Sequence, residues 1–173
     1  MLIRVQMMNI NSGGMYLSAV SKARQMTKYG CPGSMVLVGS MSGLIADKGL
    51  RSSVYNPSKA AVVQLGRSLA MEWGRIVQGR AIRVNVLCPG NILTPVSAFK
   101  ARRKTVLLTN ALKMVAKNFE DEPYLKTLWE SENMMGRISL PQEYRGAALF
   151  MLTDASSFMT GSHLVIDGGY TAW

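Results

Sequence analysis

Histidine occurs once in this 173-residue chain, cysteine twice, and bases outnumber acids 20 to 10. Each shortage excludes something. A lone His163 supports neither a metal site nor a Ser-His triad, and reads as an ordinary strand residue. Cys31 and Cys88 are too few and too far apart for a metal site or a disulfide framework. Both read as buried small apolar residues. No run of ~18 apolar residues occurs, so no membrane span is expected. The opening MLIRVQMMNI has no long apolar core followed by a small-residue cleavage site, so no signal peptide is apparent. The expectation is a cytoplasmic protein.

Apolar residues make up 48% of the chain, enough for a packed core and too many for general disorder. The length suggests one domain. A net charge of +10 invites a nucleic-acid reading. The charge is concentrated, however. Lys100, Arg102, Arg103, Lys104 and Lys113 fall within the acid-free segment Val96–Lys113, and without it the net charge drops from +10 to +5. Basic residues interleaved with base-stacking aromatics are absent, so nucleic acid is not expected as a partner.

Periodicity supplies the elements. Met15, Ala19, Ala23 and Met26, with Tyr16 and Val20 alongside, predict a helix over 11–29. Gly30, Pro32 and Gly33 stop it. Ser34–Gly39 reads as a short buried strand. A long helix is expected from about Val54 to Val77, with Ala61, Leu65 and Leu69 on one stripe and Val62 beside it. Pro57 is acceptable in its first turn. Arg80–Leu87 alternates Ile82, Val84 and Val86 against Arg83 and Asn85, as a strand does, and Pro89-Gly90 ends it. Thr94–Gly136 reads as helical pieces with loops. A helix over Gln142–Leu152 and a short strand over His163–Asp167 complete the chain. Alternating strands and helices imply an α/β fold with a parallel sheet and crossover helices. Sites in such folds form at the carboxyl ends of the strands. Ser40 and Pro89–Thr94 occupy that position.

One stretch concentrates the useful chemistry: SMSGLIADKGLRSSVYNPSK, Ser40 to Lys59. Tyr55 and Lys59 stand four apart at the start of a predicted helix, which places both side chains on one face. A fixed ammonium beside a phenol favours the phenolate and lowers its pKa. Such a tyrosine can give or take a proton near neutral pH. Ser40, at the end of an apolar run, can hydrogen-bond a substrate oxygen.

These residues stand in a wider pattern. Asn11 and Gly14 in INSGGMYL, Ser40 in VGSMSG, YNPSKAA, RSLAMEW at 67–73, IRVNVLCPGNILT at 82–94, MGR at 135–137, ALFMLTDASSFMTG at 148–161 and IDGGYTAW at 166–173 follow in order. Together they resemble the catalytic half of the short-chain dehydrogenase/reductase family. The detail is most similar to fungal sugar-alcohol or ketose reductase-like members. The resemblance implies part of a Rossmann-like doubly wound sheet. It also implies NAD(P)-dependent interconversion of a secondary alcohol and a ketone, with a polyol or ketose as substrate. Tyr55 would be the general acid/base, Lys59 would lower its pKa and hold the nicotinamide ribose, and Ser40 would orient the substrate oxygen. Asn11 would anchor a proton-relaying water. Pro89, Gly90, Ile92 and Thr94 would line the nicotinamide end. Ser40 is preferred to Ser42 because it falls at the strand end, with Gly43 three residues on.

Two departures qualify the resemblance. The family's opening βα units are not represented: no G-x-x-x-G-x-G turn and no N-A-G segment stand near the start. At ~30 residues per unit, three or four units amount to on the order of 100 residues. With them would go the cradle for adenine and pyrophosphate, and the residue that selects NAD or NADP. The second departure is Val96–Lys113, which reads as an insertion or a translated intron in a gene model. The alternative expectation is therefore a non-catalytic remnant, or an assembly partner of full-length relatives. Contacts would then run through regions 11–29, 54–77 and 141–173, as homo- or hetero-oligomers.

Overall fold

Helix, turn and strand alternate along the chain in the computed structural model, which describes residues 2–78, 80–93 and 122–173. Helix α1 (Leu2–Met8) passes through one π-helical segment, Asn9–Gly13, into α2 (Gly14–Lys28). Strand β1 (Gly33–Val38) follows, then a 3-10 turn at Met41–Gly43 and helix α3 (Tyr55–Trp73). Strand β2 (Ile82–Pro89), helix α4 (Tyr124–Ser131), helix α5 (Arg145–Leu152) and strand β3 (His163–Ile166) follow among the described residues. The strands form a parallel sheet in the order β1-β2-β3. Gly33 pairs with Ile82 and Val38 with Leu87; Val86 pairs with His163 and Pro89 with Ile166. Parallel neighbours need a crossover, and α3 supplies the one between β1 and β2.

Strand alternation sorts the core into two layers of helix around one sheet. Met35 and Leu37 of β1, with Ile82, Val84, Val86 and Cys88 of β2, face Ala19 and Ala23 of α2 and Val62, Leu69 and Trp73 of α3. The opposite face carries Leu87, Val36, Leu164 and Ile166 against Tyr144 and Met151. Each large apolar side chain so buried contributes about 1.5–3 kcal/mol. Gly66 lets α3 approach β2 closely, since a Cβ there would run into the Val86 side chain. Arg83 and Asn85, the polar residues of β2, are put to use on the second face. Arg83 Nη1 donates to the carbonyls of Ser156 (2.8 Å) and Met159 (3.2 Å), and its Nη2 donates to Thr153 (2.9 Å). Asn85 is fully buried; its amide donates to Met159 O at 2.8 Å and accepts from Ser162 N at 3.1 Å.

The expected α/β architecture and parallel sheet are present, with local corrections. Helix starts before residue 11, because α1 and the π segment run continuously into α2. The helix expected to reach Val77 ends at Trp73; Val77 instead pairs with Arg80 around a turn in which Gln78 adopts a φ of 49°. The buried stripe of α3 centres on Val62, Val63, Gly66, Leu69, Ala70 and Trp73, leaving Ala61 and Leu65 half-buried at its flank. Cys88 is buried as expected, but Cys31 is exposed. It sits in the surface turn between α2 and β1, where connecting segments run over the outside. His163 opens β3 and is exposed. Thr94 and the segment Val96–Lys113 lie outside the described residues. Among the described residues no helix is long and apolar enough to cross a membrane.

Candidate active site

Parallel strands deliver their carboxyl ends to one edge of the sheet, and the chemistry-bearing residues meet there. Ser40 follows β1, Gly90 and Asn91 follow β2, Asp167 to Tyr170 follow β3, and Tyr55 opens α3. Ser40, Tyr55, Gly90, Asn91 and Tyr170 surround a cleft of about 270 Å³, whose lining also includes Ser42, Asp47 and Trp129.

The serine turn is built locally. Ser40 is extended and caps the 3-10 turn, accepting from Ser42 N at 3.2 Å, while Gly43 N donates to Ser40 O at 3.0 Å. Gly43 is required at this position: a Cβ would stand 2.7 Å from the Lys59 carbonyl carbon, so only glycine lets the turn lie on α3. Ser40 Oγ donates to Ser42 Oγ at 3.1 Å, and Ser42 Oγ donates to Asp47 Oδ1 at 2.9 Å. The Tyr55 phenol lies near enough to the Ser40 hydroxyl for the serine to favour its ionised form. Ser40, Ser42 and Asp47 form one hydrogen-bonded chain, with the Tyr55 phenol beside its Ser40 end.

Tyr55 and Lys59 do share a helix face, with Lys59 Nζ 5.8 Å from the Tyr55 ring centroid. The ammonium is directed elsewhere, however: it donates to Val38 O at 3.1 Å, at the end of β1. The expected lowering of the phenol does not appear. Burial pushes the Tyr55 pKa up, the Ser40 hydrogen bond opposes that, and the Asp47 charge adds to it. Lys59 is pushed down by its own burial, with a smaller opposing influence from Cys88.

Asn11 belongs to the π segment, a form of turn often found at functional sites. It does not touch Tyr55 or Lys59 through its side chain. Its amide donates to Ser58 Oγ at 2.9 Å; Ser58 Oγ donates to Tyr55 O at 2.7 Å, and Ser12 Oγ reaches Ser58 O at 3.1 Å. Asn11 thus braces the first turn of α3. Of the turn after β2, Gly90 lines the cleft, and a Cβ on it would stand 2.7 Å from Asp167 Cα. Pro89 remains in the sheet opposite Ile166. Ile92 packs with Leu87 and Tyr144 beneath the cleft and bridges to Ser139.

Sequence reasoning missed the far wall. Met41, Leu125, Trp129, Ile138 and Tyr170 form a separate apolar cluster beside the site. Trp129 Nε1 donates to Lys48 O at 3.2 Å. Tyr170 is 6% exposed, and its hydroxyl lies by the Lys48 backbone without a well-formed hydrogen bond. Asp47 was also missed. Burial raises its pKa, against hydrogen bonds from Ser42, Ser52 and Asn56. The signal available was an acid in a chain with few, seven residues after Ser40 and eight before Tyr55.

The residues present suit the nicotinamide end of a dinucleotide. Lys59 has no carboxylate partner among the described residues, so its remaining donors are open to a diol, and the glycine at 90 keeps the floor shallow.

Known proteins match the chain over nearly all of its length. A family model described as enoyl-(acyl carrier protein) reductase matches residues 5–113 and 108–171. The chain is 44% identical over 168 residues to a short chain dehydrogenase/reductase, notP', of Aspergillus versicolor, covering 97% of this chain and 51% of that protein. It is 38% identical over 167 residues to the ribulose-forming D-arabinitol 2-dehydrogenase of Candida tropicalis, covering 96% and 51%. Among solved structures, a short-chain type dehydrogenase/reductase from Mycobacterium marinum superposes with a TM-score of 0.79 at 34% identity, covering 98% of this chain and 57% of that one. The chain therefore spans about half the length of the curated relatives it matches. A sheet, a serine turn and a Tyr-Lys helix in this order, matched over nearly all of its residues by such relatives, place the chain in the short-chain dehydrogenase/reductase family.

Proposed function

We propose that this site interconverts a secondary alcohol and a ketone with NAD or NADP, on a polyol or ketose. The carrying observation is the Tyr55 phenol and the Ser40 hydroxyl lining one cleft at the strand ends, with Lys59 one turn away. A bound nicotinamide supplies or accepts the hydride. The remaining work belongs to the chain. Ser40 orients the substrate oxygen, and Tyr55 delivers a proton to it in reduction or removes one in oxidation. Lys59 holds the ribose diol, and Pro89, Gly90 and Ile92 belong to the nicotinamide end. Asn11 fixes the start of α3 through Ser58, in addition to anchoring a relay water. The substrate class draws support from the D-arabinitol 2-dehydrogenase relative.

Burial of Tyr55 sets the pH preference. With its pKa raised, the phenol keeps its proton through neutral pH, which suits ketone reduction; alcohol oxidation gains as pH rises towards the phenol's pKa. The test is Tyr55→Phe, assayed by nicotinamide absorbance with D-arabinitol, alongside cofactor titration by nicotinamide fluorescence. Turnover should fall by about 10²–10⁴-fold with cofactor affinity retained. Equal turnover by the variant, or no cofactor binding by the parent chain, would sink the reading.

A second role as an assembly partner draws support from the exposed Tyr16 and Leu17 on α2, Leu149 on α5 and Phe158 beyond it. Light scattering that finds only monomer, alone and with a full-length relative, would exclude it.

A further inference from the structure

We propose that Asp47 is a specificity-determining residue, whose carboxylate accepts a hydrogen bond from a hydroxyl on a carbon neighbouring the one that reacts. The inference rests on the alcohol–ketone reading above and names what selects a polyhydroxylated substrate within it.

Position carries the argument first. Asp47 lines the same cleft as Tyr55 and Ser40. From Ser40 Oγ it is two hydrogen bonds away, 3.1 Å to Ser42 and 2.9 Å onward to Oδ1. A substrate oxygen held between Ser40 and Tyr55 therefore has Asp47 within the span of the next carbons. Asp47 shares the cleft with both Tyr55 and Tyr170, and its charge acts on each of them.

Acceptor capacity comes second. An ionised carboxylate offers about four acceptor positions. Ser42 donates to Oδ1 at 2.9 Å, and Ser52 and Asn56 stand near enough to favour the charge, which leaves acceptor capacity for a ligand. No cation lies within ion-pair distance of Asp47 among the described residues. A carboxylate half-buried without a cation gains from any further donor. The surroundings suit a sugar alcohol: Trp129 and Leu50 give an apolar wall, and Ser52 a polar edge. Tyr170 adds an independent mark, a buried hydroxyl on that wall with no well-formed hydrogen bond.

The experiment is a binding comparison on the whole chain, in the presence of NADH. Saturation-transfer NMR measures D-arabinitol and, as a probe with one hydroxyl, 3-pentanol, for the parent, Asp47→Ala and Asp47→Asn, with circular dichroism to check the fold. Losing a hydrogen bond to a charged acceptor should weaken D-arabinitol by about tenfold or more in Asp47→Ala, with 3-pentanol changed less than about twofold. Asp47→Asn, which keeps a neutral acceptor, should fall between. Equal loss of both probes in both variants, equal binding of D-arabinitol by parent and Asp47→Ala, or no D-arabinitol binding by the parent would overturn the proposal. Cofactor titration on the same samples separates the two claims. Polyol discrimination without cofactor binding upholds the Asp47 subsite and removes the oxidoreductase reading; cofactor binding without discrimination does the reverse.

Discussion

The sheet's helix-covered face and the cleft at its end obey opposite rules. Between β2 and α3 every buried side chain is apolar except Ser58, and Ser58 is bonded to Asn11 and Tyr55. The polar pair on β2, Arg83 and Asn85, is saturated by loop carbonyls and amides. The cleft instead holds Asp47 and Tyr55, with Lys59 one turn away, all shifted by burial in the direction that disfavours their charged forms. Two polar atoms beside it, Asn56 Oδ1 and Tyr170 OH, have no well-formed hydrogen bond among the described residues. One region is optimised for the folded chain alone. The other carries unspent polar capacity of the kind that a ligand offsets.

Substitutions can break or sharpen that contrast. The largest stability effect belongs to the core. Leu69 is 1% exposed between α3 and the sheet, and Leu69→Ala should cost about 2–5 kcal/mol in denaturant unfolding. The same truncation should leave cofactor affinity unchanged until the chain unfolds. In the cleft the sign reverses. The folded pKa of Asp47 lies above its unfolded value of 3.8, so the ionised group destabilises the fold above that pH. Asp47→Asn should therefore raise Tm at pH 7, by about one or two degrees once solvent screening of a half-exposed carboxyl is allowed for. The gain should vanish below pH 3.8. A fall in Tm at pH 7 would show that the cleft is as tightly optimised as the core. The smallest effect belongs to the surface. Glu143, gripped by Arg137 and by Leu140 N, has its pKa lowered from 4.5 to about 2. Its contribution is present above pH 4.5 and lost as pH falls through about 2. Thermal scans of Glu143→Gln against the parent should differ above that window and converge below it.

Much of the fold was legible because its signals are local. The alternation of Ile82, Val84 and Val86 with Arg83 and Asn85 matches the two faces of β2. Ser40, Tyr55 and Gly90 meet at one cleft, as strand-end reasoning and the family resemblance together required. The failures share a cause too: they depend on contacts distant in sequence. Asp47 becomes notable only when Ser42 and Tyr55 are seen around it. Trp129 and Tyr170 reach the cleft from beyond β2 and β3. The bond from Asn11 to Ser58, 47 residues on, is likewise a contact that only the folded chain shows, the π segment lying beside α3. The direction of the Tyr55 shift was missed for another reason. Spacing places Lys59 beside the ring but cannot show its ammonium drawn off to Val38 O.

The register of β1 has a consequence for catalysis. Side chains on a strand change face at every residue. Met35 and Leu37 lie against α2 and α3, while Val36 lies against α5. A slip of one residue would drive Ser34 into the apolar layer, at a large cost. It would also turn the residue after the strand to the wrong side. The aim of the Ser40 hydroxyl is thus inherited from two buried side chains that never approach a substrate. Their burial acts as the sight that points the serine, so an error in packing five residues upstream is an error in the position of a reacting oxygen.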